Sequence, residues 1–163
     1  MKKNEPAPQP FVETYLSYLL TRAAHRVSAE FHAELPRFGL SVAEWRTLAC
    51  LYDSPGLGVS ELADMAIMKQ PRMTKILDRL QAEGLILRES VEGDRRRVRA
   101  RLTPKGRARV KPAIAAAKAH QARVLAPLSE AERALITHAL DLIVKAEDQA
   151  PMKRGGRFSR KAA

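Results

Sequence analysis

Arg72, Lys75 and Arg79 fall on one face of a helical stretch, with Thr74 beside them, while Met73, Ile76, Leu77 and Leu80 take the opposite face. One element therefore carries an apolar stripe and an outward basic surface. Cations so arranged can pair with phosphate oxygens, and arginine and threonine can also meet base edges. Further along, Arg95, Arg96 and Arg97 stand beside Glu92-Gly93-Asp94, a charged turn between two strand-like runs. Each arginine alone reads as a solvated surface charge. A basic helix followed directly by a basic hairpin reads as a nucleic-acid footprint.

Other chemistries find little support. His25, His32, His120 and His138 form no cluster at metal-ligand spacing, and the sequence holds no phosphate loop, His-Glu-x-x-His pair or nucleophile elbow. A metal-dependent enzyme is the weakest reading, and no metal or cofactor is expected. The single cysteine, Cys50, excludes an internal disulfide framework and reads as a small buried hydrophobe inside a helix.

The distribution of charge carries more than its total. The 163 residues hold 29 Lys plus Arg against 18 Asp plus Glu, a formal +11. Residues 69 to 111 contribute +9 and residues 151 to 163 contribute +5, and the remainder is slightly acidic. Two local patches thus supply the whole excess. The length suits one compact unit. No signal-peptide core or long uncharged apolar run is present, so a cytoplasmic chain without a membrane partner is expected.

The elements that must position these residues follow from periodicity and caps. Residues 1 to 10 read as a loose lead-in with three prolines. A long helix is expected over 11 to 35, ended by Pro36 and Gly39. Ser41 with Glu44 has capping-box spacing, with Leu40 and Trp45 placed as a hydrophobic staple, and predicts a helix over 42 to 53. Ser60 is the expected cap of a short helix to about 68, and Pro71 opens the basic helix, which Gly84 ends. Strands at 85 to 88 and 97 to 102 make a hairpin. Thr103-Pro104 opens an Ala-rich helix to Leu125 that contains Pro112, and Ser129 with Glu132 opens the last one, whose stripe is Leu135, Ile136, Ala139, Leu142 and Ile143. The tail from 151 to 163 reads as flexible and basic.

The fold class is therefore mainly α with a small β-hairpin. A helix, a short helix, a basic helix and a hairpin in that order suit a winged helix-turn-helix unit, with the basic helix in the major groove and the hairpin as its wing. The runs Val59-Ser60-Glu61-Leu62-Ala63, Lys69-Gln70-Pro71-Arg72-Met73-Thr74-Lys75-Ile76-Leu77-Asp78-Arg79-Leu80, Asp94-Arg95-Arg96 and Leu102-Thr103-Pro104-Lys105-Gly106 together resemble the MarR (multiple antibiotic resistance regulator) family. The resemblance covers about residues 11 to 148. It implies a homodimer in which residues 11 to 40 and 104 to 150 form interlocked dimerisation helices and residues 41 to 103 bind DNA, all within one domain from 11 to 150. It implies an inverted-repeat operator and, more often than not, repression. Gln70, Arg72, Thr74 and Lys75 then face groove or phosphate, Arg96 reaches the minor groove from the wing, and Asp94 orients the wing arginines. Arg72 stands where many members carry a small hydroxyl residue.

The resemblance also implies control by a small anionic or aromatic effector held between the winged unit and the dimerisation helices. Tyr15, Tyr18, Arg22 and His25 on the first helix, with Trp45 and Arg46 on the second, are the residues suited to it. Arginine clamps a carboxylate and tyrosine contacts a ring, so an aromatic carboxylate or its thioester is the expected ligand. The competing noncatalytic reading is an architectural, weakly specific DNA binder.

Overall fold

A computed structural model of the chain describes residues 10–91 and 94–149. The expected lead-in up to residue 9, the turn at 92 and 93, and the basic tail lie outside them. The described residues fall into two compact units that divide within one helix, one unit up to Ala122 and the other from Arg123.

The expected first helix is two helices, α1 (Phe11–Thr14) and α2 (Leu16–Glu34), divided at Tyr15. The Thr14 hydroxyl and the Tyr15 amide both donate to the Phe11 carbonyl, at 3.1 and 3.0 Å, and the Phe11 and Tyr15 rings stack at 5.1 Å. The Tyr15 amide bond is the ordinary helical one, and the chain turns because Tyr15 itself takes an extended ψ of 112° in place of a helical one, without glycine or proline. A 3-10 turn, Leu35–Phe38, follows α2 and closes on Gly39 at φ 62°.

Helix α3 (Val42–Tyr52) starts as its sequence requires. The Glu44 amide donates to Ser41 Oγ at 3.2 Å, and the Ser41 amide donates to Glu44 Oε2 at 2.8 Å. Two otherwise unpaired helix-end donors are thereby satisfied. The next start differs from expectation. Strand β1 (Leu57–Gly58) leads directly into α4 (Val59–Met65), and Gly58 occupies the cap position with its amide donating to Glu61 Oε2 at 3.3 Å. Ser60 lies inside the helix because the chain leaves β1 already aligned for it.

Helix α5 (Gln70–Ala82) has Pro71 in its first turn and ends before Gly84, whose φ of 70° needs a residue without a Cβ penalty. Strands β2 (Ile86–Val91) and β3 (Asp94–Leu102) are longer than the periodicity suggested. With β1 they form a three-stranded antiparallel sheet in the order β1-β3-β2, where Leu57 pairs with Ala100 and Ile86 with Leu102. The pattern along β3 is period two: Ala100 and Leu102 are buried, and Arg99 and Arg101 are exposed.

Helix α6 (Pro104–Leu125) is capped by Thr103, whose Oγ1 accepts the Gly106 amide at 2.9 Å. Gly106 sits against the Leu85 carbonyl so closely that a Cβ would overlap it. Pro112 lies inside α6 and deprives the Ala108 carbonyl of its helical donor. Toward its end, His120 packs on Phe31 of α2 with ring centroids 5.8 Å apart, and its Nε2 lies 3.6 Å from Glu30.

The core of the first unit joins α3, α4, α5, the sheet and α6 through Leu48, Leu51, Leu62, Met73, Leu77 and Val110, all fully buried. Each such side chain contributes about 1.5–3 kcal/mol by leaving water. In the second unit, α7 (Glu130–Gln149) opens on a complete Ser129–Glu132 capping box, with the Ser129 amide 2.8 Å from Glu132 Oε2 and the Glu132 amide 3.3 Å from Ser129 Oγ. Its stripe remains in water: Leu135 is 67% exposed and Leu142 52%. No helix among the described residues is long and apolar enough to cross a membrane.

Candidate nucleic-acid interface and effector cleft

Helix α5 rests on the core through Met73, Leu77 and Leu80, which turns Gln70, Arg72, Thr74, Lys75 and Arg79 outward. Arg72 and Lys75 form no ion pair among the described residues. The Thr74 hydroxyl donates to the Gln70 carbonyl at 3.1 Å, which leaves its oxygen as an acceptor. Lys69 stands at the N-cap without a side-chain cap bond. The first turn of α5 thus keeps a backbone donor open beside three polar or cationic side chains, the arrangement that suits an anion at a helix start.

Two of the expected residues are already engaged with the protein. Gln70 Nε2 donates to Ser60 Oγ at 2.7 Å and ties α5 to α4. Arg79 lies 3.3 Å from Glu44 of α3 and 2.9 Å from Glu83, and these carboxylates hold its guanidinium still more firmly protonated. Arg79 therefore braces α5 against α3, one turn or more from the free cations.

A residue that the periodicity did not single out joins helix to wing. Arg88 of β2 lies 2.7 Å from Asp78 of α5, and its Nη2 also donates to the Thr74 carbonyl at 3.3 Å. Its Nε is buried without a partner. The signal was the alternation of β2, which places position 88 toward α5, but only the fold reveals the acid opposite. Across the sheet, Arg101 makes a two-point pair with Glu89 at 2.8 and 2.6 Å, and this hydrogen bonding draws the Glu89 carboxyl below its ordinary range. Asp94, Arg95, Arg96 and Arg97 all lie on β3, and Asp94 pairs with Val91 across a bulge after Ser90.

The expected effector residues separate. His25 and Arg46 line one cleft of about 340 Å³ together with Ala24, Ser28, Ala29 and His32. His32, which the sequence reading placed only among histidines without metal-ligand spacing, is the addition. Burial first, and then the positive charge of Arg46, push its imidazole below the usual value. Trp45 packs edge-on against Phe31 at 5.0 Å and belongs to the core. Tyr15, Tyr18 and Arg22 do not line that cleft. A wider, shallower cleft of about 1040 Å³ between the 3-10 turn and α6, lined in part by Gly39, Lys105, Arg109 and Pro112, contains none of the expected residues.

Cys50 is half-buried, and burial pushes its thiol up, away from the thiolate form. Among the described residues no three His, Cys, Asp or Glu side chains gather as a metal would need.

A helix-turn-helix with a sheet hairpin fixed beside its second helix defines a winged-helix DNA-binding protein. The MarR family profile matches residues 40–98. The chain is 38% identical over 114 residues to the transcriptional repressor Rv2887 of Mycobacterium tuberculosis, covering 70% of this chain and 82% of that one. It is also similar to the crystal structure of a MarR family regulator from Silicibacter pomeroyi, at 40% identity and a TM-score of 0.72, covering 83% of this chain and 99% of that one. Bordetella bronchiseptica BpsR, whose DNA binding is regulated by 6-hydroxynicotinic acid, matches at 28% identity and a TM-score of 0.70, over 84% of this chain and 97% of that one. The chain belongs to the MarR family of transcriptional regulators, which are not enzymes.

Proposed function

We propose that the chain is a homodimeric, ligand-responsive repressor that binds an inverted-repeat operator and works in the cytoplasm. The observation that carries the reading is the uncommitted basic face of α5, where Arg72, Lys75 and Thr74 stand outward beside an open helix start. Lys69, Gln70, Arg72, Thr74 and Lys75 meet the major groove or its phosphates, and Arg95, Arg96 and Arg97 of the wing reach the flanking minor groove, with Asp94 orienting them. Arg79 serves by holding α5 in place. Residues 11 to 40 and 104 to 150 supply the dimer, a reading supported by the apolar side chains that α1, α2 and α7 leave in water. The tail adds a nonspecific hold on phosphate.

The effector is an aromatic carboxylate or its thioester, held in the cleft of His25, His32 and Arg46. Rv2887 has been crystallised with salicylic acid, and that structure matches this chain at 34% identity and a TM-score of 0.64. Arg46 supplies the carboxylate clamp. The ligand acts only insofar as it prefers the dimer that cannot grip DNA.

Selection of binding sites from random duplexes, followed by footprinting, tests the reading. An inverted repeat is expected, with Lys75→Ala lowering affinity and flattening the salt dependence by about one counterion's worth. A broad, salt-sensitive footprint without symmetry overturns it in favour of an architectural protein. Titration of the complex with salicylate tests the effector, and DNA that stays bound at saturating ligand overturns that part.

A further inference from the structure

The cleft proposed for the effector sets two imidazoles of α2, His25 and His32, on one helical face opposite the Arg46 guanidinium of α3, around about 340 Å³. No carboxylate lines it. Resting on the effector reading above, we propose that capture of a carboxylate in this cleft is coupled to uptake of a proton by His32, so that the regulator responds to effector and acidity jointly.

The argument is electrostatic. In the empty cleft partial burial disfavours a charge on His32, and the Arg46 cation across from it adds to that cost. The neutral imidazole is the favoured form. A carboxylate placed against Arg46 reverses this, because it cancels the guanidinium's field and adds a negative charge within reach of the ring. The charged imidazole is then the better partner, both as an ion and as a donor from either nitrogen. Of the residues lining the cleft, the charged or titratable ones beside His32 are Arg46, across from it on α3, and His25, on its own face of α2. Ser28 contributes a hydroxyl that adapts to either state.

The sign follows from linkage. Binding that takes up one proton strengthens as pH falls, by up to about tenfold per pH unit. That slope holds between the lowered value of the empty cleft and the raised value of the occupied one, and vanishes outside that window. An effector of the same shape without charge has no such slope.

The test is calorimetric titration of the full chain with salicylate from pH 5 to 8, in two buffers of different ionisation enthalpy, with salicylamide as the uncharged control. Expected are buffer-dependent heats that report close to one proton taken up, a loss of this uptake in His32→Gln, and its retention in His25→Gln. Salicylate binding with identical heats in both buffers overturns the proton coupling and leaves the effector reading intact. Uptake that survives in His32→Gln and disappears in His25→Gln overturns the assignment to His32. No heat from salicylate at any pH, with the protein still folded and bound to DNA, overturns the effector reading and this inference with it.

Discussion

Ile67 holds the one positive φ among the described residues other than glycine, at 56°, and its side chain is 79% exposed in the turn between α4 and α5. A β-branched residue there pays steric strain of about 1–2 kcal/mol and recovers little by burial. Ile67→Asn should therefore raise stability by about 1 kcal/mol in urea denaturation, since asparagine accepts this conformation more readily. A loss of stability would show that the turn draws support from the isoleucine side chain. Single residues were legible in sequence where their partners are near: Ser41 with Glu44 and Ser129 with Glu132 could be paired by counting to three. Arg88 could not, because its acid, Asp78, meets it only when β2 packs along α5. The ion pair of Arg79 was hidden for the same reason, since a helical wheel shows its outward direction and not Glu44 on a neighbouring helix.

The elements were read well where the pattern was local and poorly where it depended on distant chain. Strand β1 is two residues long and exists because Leu57 pairs with Ala100, some forty positions away in sequence, so no window around it could reveal it. With that pairing the cap of α4 falls at Gly58 and not at Ser60. The junction of β2 and α6 makes a comparable demand, and Gly106→Ala should cost more than about 2 kcal/mol, because the added carbon meets the Leu85 backbone. Gly84→Ala offers the contrast. It has open space around it and only the φ penalty, so about 1 kcal/mol is expected in the same denaturation series. Helix α7 carries a pH dependence of its own. The Ser129 hydroxyl and then its amide hold the Glu132 carboxyl below the ordinary range. The folded form thus has the lower pKa, and the cap's contribution is present above the unfolded value and lost as pH falls through the folded one. Glu132→Gln should flatten the acid limb of thermal unfolding there, and an unchanged limb would place the dependence elsewhere.

For the molecule as a whole, apolar side chains left in water are the most direct guide to assembly. Phe11, Val12 and Leu16 on the first two helices and Leu135, Leu142 and Val144 on the last all stand about half exposed or more. The periodicity of α7 marks an apolar face, and among the described residues that face is exposed. The double substitution Leu135→Asp, Leu142→Asp should yield monomers in sedimentation, with affinity for a two-half operator lower by roughly tenfold or more, each factor of ten being about 1.4 kcal/mol. Retention of the dimer would move the interface elsewhere. The charge asymmetry was legible from composition, whereas the lining of the cleft was not: of the six residues named from the sequence only His25 and Arg46 line it, since Trp45 packs on Phe31 and helical spacing along α2 does not show which of its residues α3 faces.

The Arg88 bridge has a further consequence for DNA. One guanidinium ties β2 to both Asp78 and the Thr74 carbonyl of α5, so in the proposed DNA complex groove helix and wing would act as two prongs of a single fork. On that proposal such a fork would measure distance along the duplex. On the same proposal, a base pair inserted inside one half-site, between the major-groove and minor-groove contacts, would change a length held by the Arg88 bridge, whereas one inserted between the half-sites would change a length set by how two forks are held. Operator variants of these two kinds should therefore fail differently, and only the second kind should shift its optimum when effector is present.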